Sequence, residues 1–149
     1  MDVSVSKEVN APIERVFDVF SDLTKTEERI EAITKLEILS DVKQGKGTRW
    51  RETRVMFGRE ATEEMEISVF EPNKSYEVVA ESRGMKYHSV YSFAPQGDAT
   101  RVDMTFSGTP MTFAAKLMSP IGSLFKGTVR KALEADMEQL KTVCEAGSQ

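Results

Sequence analysis

A single cysteine, Cys144, leaves this chain no internal disulfide and no cysteine-cluster metal site. A single histidine, His88, has no second imidazole at ligand spacing, so no metal is expected and Ser-His-Asp chemistry is disfavoured. No apolar run is long enough to span a bilayer, which excludes an integral membrane contact. The opening MDVSVSKEVN lacks the basic start and apolar stretch of a secretory signal, and a cytoplasmic location is expected. Positive charge is also short. Lys and Arg number 20 against 24 Asp and Glu, a net charge of -4, which argues against nucleic acid or an anionic membrane as a general partner. What remains is 149 residues, 40% hydrophobic and 30% charged, read as one domain over 1–149 that buries a core without staples.

The most strongly patterned stretch is 119–145. Ser119 is placed to cap a helix and Pro120 to occupy its first position. Ile121, Phe125, Val129, Leu133, Met137, Leu140 and Cys144 recur in steps of three and four, one stripe of a single helix of about 26 residues, roughly 39 Å long. Gly122 and Gly127 fall in its first half, where they leave room beside the helix or allow close packing.

Ahead of it, Val3, Val5 and Val9 alternate with polar residues as in a half-buried strand, with Lys7 intruding on the apolar side. Ala11-Pro12 opens a helix carrying Ile13, Val16, Phe17 and Phe20, and Thr24-x-x-Glu27 predicts a capping box for a second short helix carrying Ile30 and Ile33. From 34 to 107 the pattern is strands and turns. Turns are expected at Gly45-Lys46-Gly47, Phe57-Gly58-Arg59, Pro72-Asn73, Arg83-Gly84 and Pro95–Asp98. Short connections between successive strands predict an antiparallel meander. One apolar face per strand requires the sheet to curve around one filler, and the final helix is the only element large enough. Residues 108–118, GTPMTFAAKLM, are apolar for a connector, with Thr109-Pro110 read as the start of a short helix. They are a lid, part of the core, or a contact surface for a second copy.

The order of elements and several segments resemble the START-like, helix-grip (SRPBCC) superfamily. VNAPIERVFDVFSD resembles its opening strand and helix. GKGTRWRETRVMFG, EISVFEPNKSYEV and YSFAPQGDATRVDMTF resemble its successive hairpins, and RKALEADMEQLKTVCE its closing helix. The likeness is to the polyketide cyclase/dehydrase-like branch. The resemblance implies an α+β helix-grip fold: a curved antiparallel sheet wrapped around a long C-terminal helix, with two short helices after the first strand and a cavity between sheet and helix. It also implies a small hydrophobic or amphipathic ligand, such as a lipid or polyketide, and no cofactor.

By strand parity the cavity wall includes Trp50, Met56, Met65, Ile67, Val78, Met104 and Phe106, with Leu117, Ile121 and Phe125 closing the helical side. Each is equally a core-packing residue. Polar residues on that face carry more information. Glu52 and Arg54 lie two apart and are placed to pair inside the cavity or to reach water at a strand end; Tyr76, Tyr87, Ser89 and Tyr91 add hydroxyls. For a cofactor-independent cyclase or dehydratase, Arg54 is the oxyanion partner and Glu52, Tyr87 or Tyr91 the acid/base. The other readings are a ligand carrier or sensor and a dimerising module. His88 falls on the outer face, away from any such chemistry.

Overall fold

The computed structural model describes residues 2–56 and 58–146, with no side-chain description for Ser119, Ile121, Gly122 and Ser123. Expectations that rest on Met1, Phe57, the Ser119 cap, Ile121 as a cavity wall and the room beside Gly122 lie outside the described residues.

Seven strands form one antiparallel sheet in the order β1-β7-β6-β5-β4-β3-β2. β1 (Asp2–Val9) and β2 (Ile33–Ile38) are its two edges, joined by α1 (Ile13–Ser21) and α2 (Thr26–Arg29). β3 (Arg49–Met56), β4 (Arg59–Glu71), β5 (Ser75–Ser82), β6 (Met85–Gln96) and β7 (Ala99–Pro110) follow as hairpins, then α3 (Phe113–Ser123) and α4 (Lys126–Ala146). From β3 onward each strand has its predecessor as a neighbour, β4 to β7 through short turns, while the helical connection after β1 carries the chain to the opposite edge. The sheet is curved, with α4 lying across it, as a helix-grip fold requires. Gly45, Gly47, Gly58, Gly84 and Gly97 all have positive φ; Arg83 shares this left-handed geometry in the turn with Gly84, and Asn73 supplies it at one further turn.

Two register shifts bend the sheet, one in β2 between Ile33 and Lys35 and one in β4 between Ile67 and Val69. The second overturns strict alternation. Past the shift it is Phe70, not Val69, that joins the core, with its ring 5.2 Å from that of Phe17. The second short helix is also less than the capping box implies. α2 is a single turn, and Ile33 opens β2 instead of continuing the helix. Asp22 caps a 3₁₀ turn by accepting from the Thr24 amide, and the Glu27 carboxylate is drawn away to the Leu36 amide.

The core lies between the sheet and the helices packed on it. Val3, Val5, Val9, Val16, Phe17, Phe20, Tyr76, Phe93, Val102, Met104, Met137, Leu140 and Cys144 form one buried cluster. It joins the second half of α4 to β1, β7 and α1. Lys7, the intruder on β1, is answered by Glu138 of α4 at 3.1 Å. Arg15 of α1 closes the C-terminus of α4, donating to the carbonyls of Cys144 (2.8 Å) and Val143 (3.1 Å). Burial pushes the Cys144 thiol up to about 11, so it stays protonated and packs as a small apolar group.

The long final helix is broken. α3 ends at Ser123 and α4 starts at Lys126, whose first turn bonds Thr128 and Val129 amides to the Phe125 carbonyl. Pro120 sits inside α3 and not at a helix start. A proline lacking an N–H, with Gly122 and Gly127 close behind, removes the local propensity for one continuous helix. Thr109 and Pro110 end β7, and the helix cap is Thr112, whose Oγ1 accepts from the Ala115 amide at 3.1 Å.

Candidate functional site

The concave face of the sheet carries a polar cluster among apolar neighbours. On β3, alternation turns Trp50, Glu52 and Arg54 inward. Trp50 Nε1 donates to Glu52 Oε1 at 3.0 Å. Arg54 forms a bidentate pair with Asp136 of α4, Nη1 to Oδ1 at 3.1 Å and Nη2 to Oδ2 at 2.7 Å. Its Nε lies 3.8 Å from Glu52 Oε2. Glu52 is 7% exposed and Asp136 9%, so both carboxylates have left water. Among the described residues no fully buried side-chain nitrogen or oxygen lacks a partner.

Desolvation dominates the electrostatics. Burial raises the Glu52 carboxyl above its usual range, against the lowering effect of the Trp50 hydrogen bond and the Arg54 charge. Burial likewise raises Asp136, although Arg54 holds it down. Burial works against the Arg54 cation, but the Asp136 hydrogen bond and charge outweigh it, and the guanidinium stays charged. The Tyr91 hydroxyl is raised by burial and by the nearby Asp136 charge, so it remains a donor. Its ring stacks on Tyr76 at 4.6 Å.

These shifts have a consequence for stability. A carboxyl whose pKa is higher folded than unfolded binds its proton more tightly in the folded state. Its contribution is complete below the ordinary value and is lost as pH rises through the raised one. Thermal melts of wild type and Glu52→Gln across acid to neutral pH are expected to diverge: the variant lacks the part of the decline that begins near the ordinary Glu value of 4.5. Parallel pH curves would show that Glu52 titrates normally.

Other residues expected on the wall are distributed unevenly. Met65, Val78, Tyr87, Ser89 and Phe106 are half-buried on the concave face, with Tyr87 and Phe106 stacked at 5.6 Å. Met56 lies half-buried near the end of β3, and Ile67 and Met104 are fully buried. The Tyr76 hydroxyl is committed to the Phe20 carbonyl at 3.1 Å, which makes Tyr76 structural. Leu117 and Phe125 do not close the helical side here: they are 64% and 49% exposed. The break after Ser123 uncouples α3 from α4. The start of α3 is held at the β5–β6 turn, where the Met111 amide bonds the Gly84 carbonyl at 2.7 Å. Ala115 packs against Gly84, where a Cβ would lie 3.3 Å away. A Cβ on Gly127 would meet nothing within 4 Å, so that glycine serves no close helix–sheet contact.

Two members of the site were not foreseen. Asp136 lies three residues after Leu133 and four before Leu140, a carboxylate on the apolar stripe of α4. Glu63 shares the parity of Met65, pairs directly across from Glu52, and accepts from Ser82 Oγ at 3.1 Å. His88 is on the convex face, 2.6 Å from Glu77.

The sequence pattern of the family described as polyketide cyclase / dehydrase and lipid transport matches residues 1–145. Among solved structures, a protein from Thermus thermophilus superposes with a TM-score of 0.82 at 20% identity, covering 100% of both chains. A START superfamily protein from Mycobacterium smegmatis superposes at 0.78 with 18% identity, covering 97% of each. The di-domain ARO/CYC StfQ of the steffimycin biosynthetic pathway superposes at 0.74 with 13% identity, over 97% of this chain and 51% of that one. At such identities these likenesses concern the fold. No curated protein matches the sequence.

Proposed function

This chain belongs to the polyketide cyclase / dehydrase and lipid transport family, and from that premise we propose that it holds a small amphipathic molecule in the concavity between sheet and α4. The apolar body of the ligand lies on Met65, Tyr87 and Phe106, and its polar end meets Arg54, Glu52 and Tyr91. The observation that carries this reading is the paired polar cluster, nearly buried in an apolar face. A pair of hydrophobic residues would fill that space at lower desolvation cost. Such a cluster is worth keeping where it orients a carbonyl or hydroxyl. Most of the affinity comes from apolar burial, at about 25 cal/mol per Å².

Native mass spectrometry of freshly purified protein tests this directly. A bound small molecule, released on denaturation and weakened by Ser89→Phe in a still cooperative fold, is the expected result. An empty protein that also fails to bind fluorescent fatty acids or aromatic polyketide mimics would sink it.

The second reading, a cofactor-independent cyclase or dehydratase, is favoured by the chemistry of Glu52. A carboxyl raised by burial beside a permanent cation is suited to move a proton while Arg54 steadies an enolate oxygen. Glu52→Gln preserves an acceptor for Trp50. It is expected to leave ligand binding intact and to abolish turnover if this reading holds.

A further inference from the structure

The segment linking sheet to final helix leaves large apolar side chains in water. Phe113 is 77% exposed and Leu124 80%, and Met111, Leu117, Met118 and Phe125 are exposed with them. They fall within 15 consecutive positions, 111–125. A run of this kind is covered by something when the protein works.

Charge indicates what covers it. Between Asp103 and Glu134 the sequence has no acidic residue, yet it carries Lys116, Lys126, Arg130 and Lys131. All four are exposed, and Arg130 also donates to the Ser4 carbonyl. The rest of the chain then has 20 − 4 = 16 cations against 24 anions, or −8. The net charge of -4 therefore conceals a basic, apolar end on an acidic body. A second copy seated on this face by twofold symmetry would set cations against cations. Closure of α3 over its own sheet would cover apolar residues but leave the basic group at the start of α4 unanswered.

We infer that the exposed face of α3 and the first turns of α4 dock this protein peripherally on an anionic lipid surface. Phe113, Leu117, Met118, Leu124 and Phe125 enter the interfacial zone, and Lys116, Lys126 and Lys131 meet the lipid phosphates. No described helix is long and apolar enough to cross a membrane, so the contact is interfacial. The acidic body is repelled by the same surface, which orients the protein with this end down. The inference stands apart from whether the concavity holds a ligand.

Co-sedimentation of the full chain with vesicles is the test, using phosphatidylcholine alone and phosphatidylcholine mixed with phosphatidylglycerol. Binding is expected to the mixed vesicles and to be at least tenfold weaker to the neutral ones. It is expected to fall as salt rises from about 0.1 M to about 1 M, which shortens the Debye length from roughly 10 Å to roughly 3 Å. Lys126→Glu with Lys131→Glu is expected to weaken binding by roughly 25-fold or more, at about fivefold for each lysine lost. Phe113→Ser with Leu117→Ser is expected to weaken it by roughly tenfold or more through lost apolar insertion. These positions are exposed, so unchanged melting temperatures separate loss of docking from loss of fold. Equal binding to neutral vesicles, binding to neither, or full binding by both double variants overturns the inference. So does a concentration-dependent dimer that Leu117→Glu dissolves, since the face would then belong to a second copy.

Discussion

Arg54→Ala is expected to cost about 3–5 kcal/mol of stability at neutral pH. The reason is what it leaves behind. Asp136 loses both hydrogen bonds of its bidentate pair, and Glu52 loses the nearest cation. Both carboxylates are almost wholly out of water and already destabilised by burial. In the variant they must carry an unpaired charge or take up protons. The loss is therefore expected to shrink as pH falls, and urea denaturation at acid and neutral pH measures this. Adding Asp136→Leu to an Arg54→Met background replaces the pair by packing and is expected to recover most of the stability. A loss below about 1 kcal/mol for Arg54→Ala would mean that the pair is effectively solvated.

The second large effect is expected in the filled aromatic core. Phe17→Ala is predicted to cost about 3–5 kcal/mol. Its ring meets Phe70, Tyr76 and Phe93 edge-on, with centroids 5.2, 6.0 and 5.1 Å away. It is 2% exposed and lies where α1 is pressed onto the sheet. Removing it opens a cavity lined by three rings and frees the helix whose Phe20 carbonyl holds the Tyr76 hydroxyl. Phe17→Leu keeps most of the volume and is expected to cost markedly less. Chemical denaturation of both variants checks the prediction. Equal losses would assign the effect to ring–ring geometry and not to volume.

The two substitutions probe neighbouring parts of one interior, linked by the Tyr76–Tyr91 stack. Around Phe17 the space between helices and sheet is filled, and polar groups are few. Around Arg54 the sheet keeps half-buried Met65, Tyr87, Ser89 and Phe106 beside a charged cluster, and the helix that would cover them is interrupted.

Much of this was legible along the chain, because strand parity and helical spacing are local properties. Trp50, Glu52 and Arg54 lie inward because β3 alternates without interruption. Phe70 could not be read the same way. The shift beside Val69 depends on how β4 pairs with β5, and one displaced residue exchanges the two faces. The apolar stripe over 119–145 overstates the helix. Its period is correct, but Pro120 and two glycines give the chain a way to break it. Asp136 was readable as a carboxylate on that stripe, yet its role depends on a partner 82 residues away.

The sequence by itself determined the antiparallel meander, the helices at its two ends and which face of most strands is apolar. Those features follow from periodicity, turn residues and short connections, all of which act over a few residues. Only the tertiary structure decided that Arg54 belongs chiefly to Asp136 and less to Glu52, and that α3 leaves Phe113, Leu117 and Met118 in water. Pairing across 82 positions and exposure of a face are properties of packing. They depend on where the curved sheet brings β3 and α4 together, which no local pattern encodes.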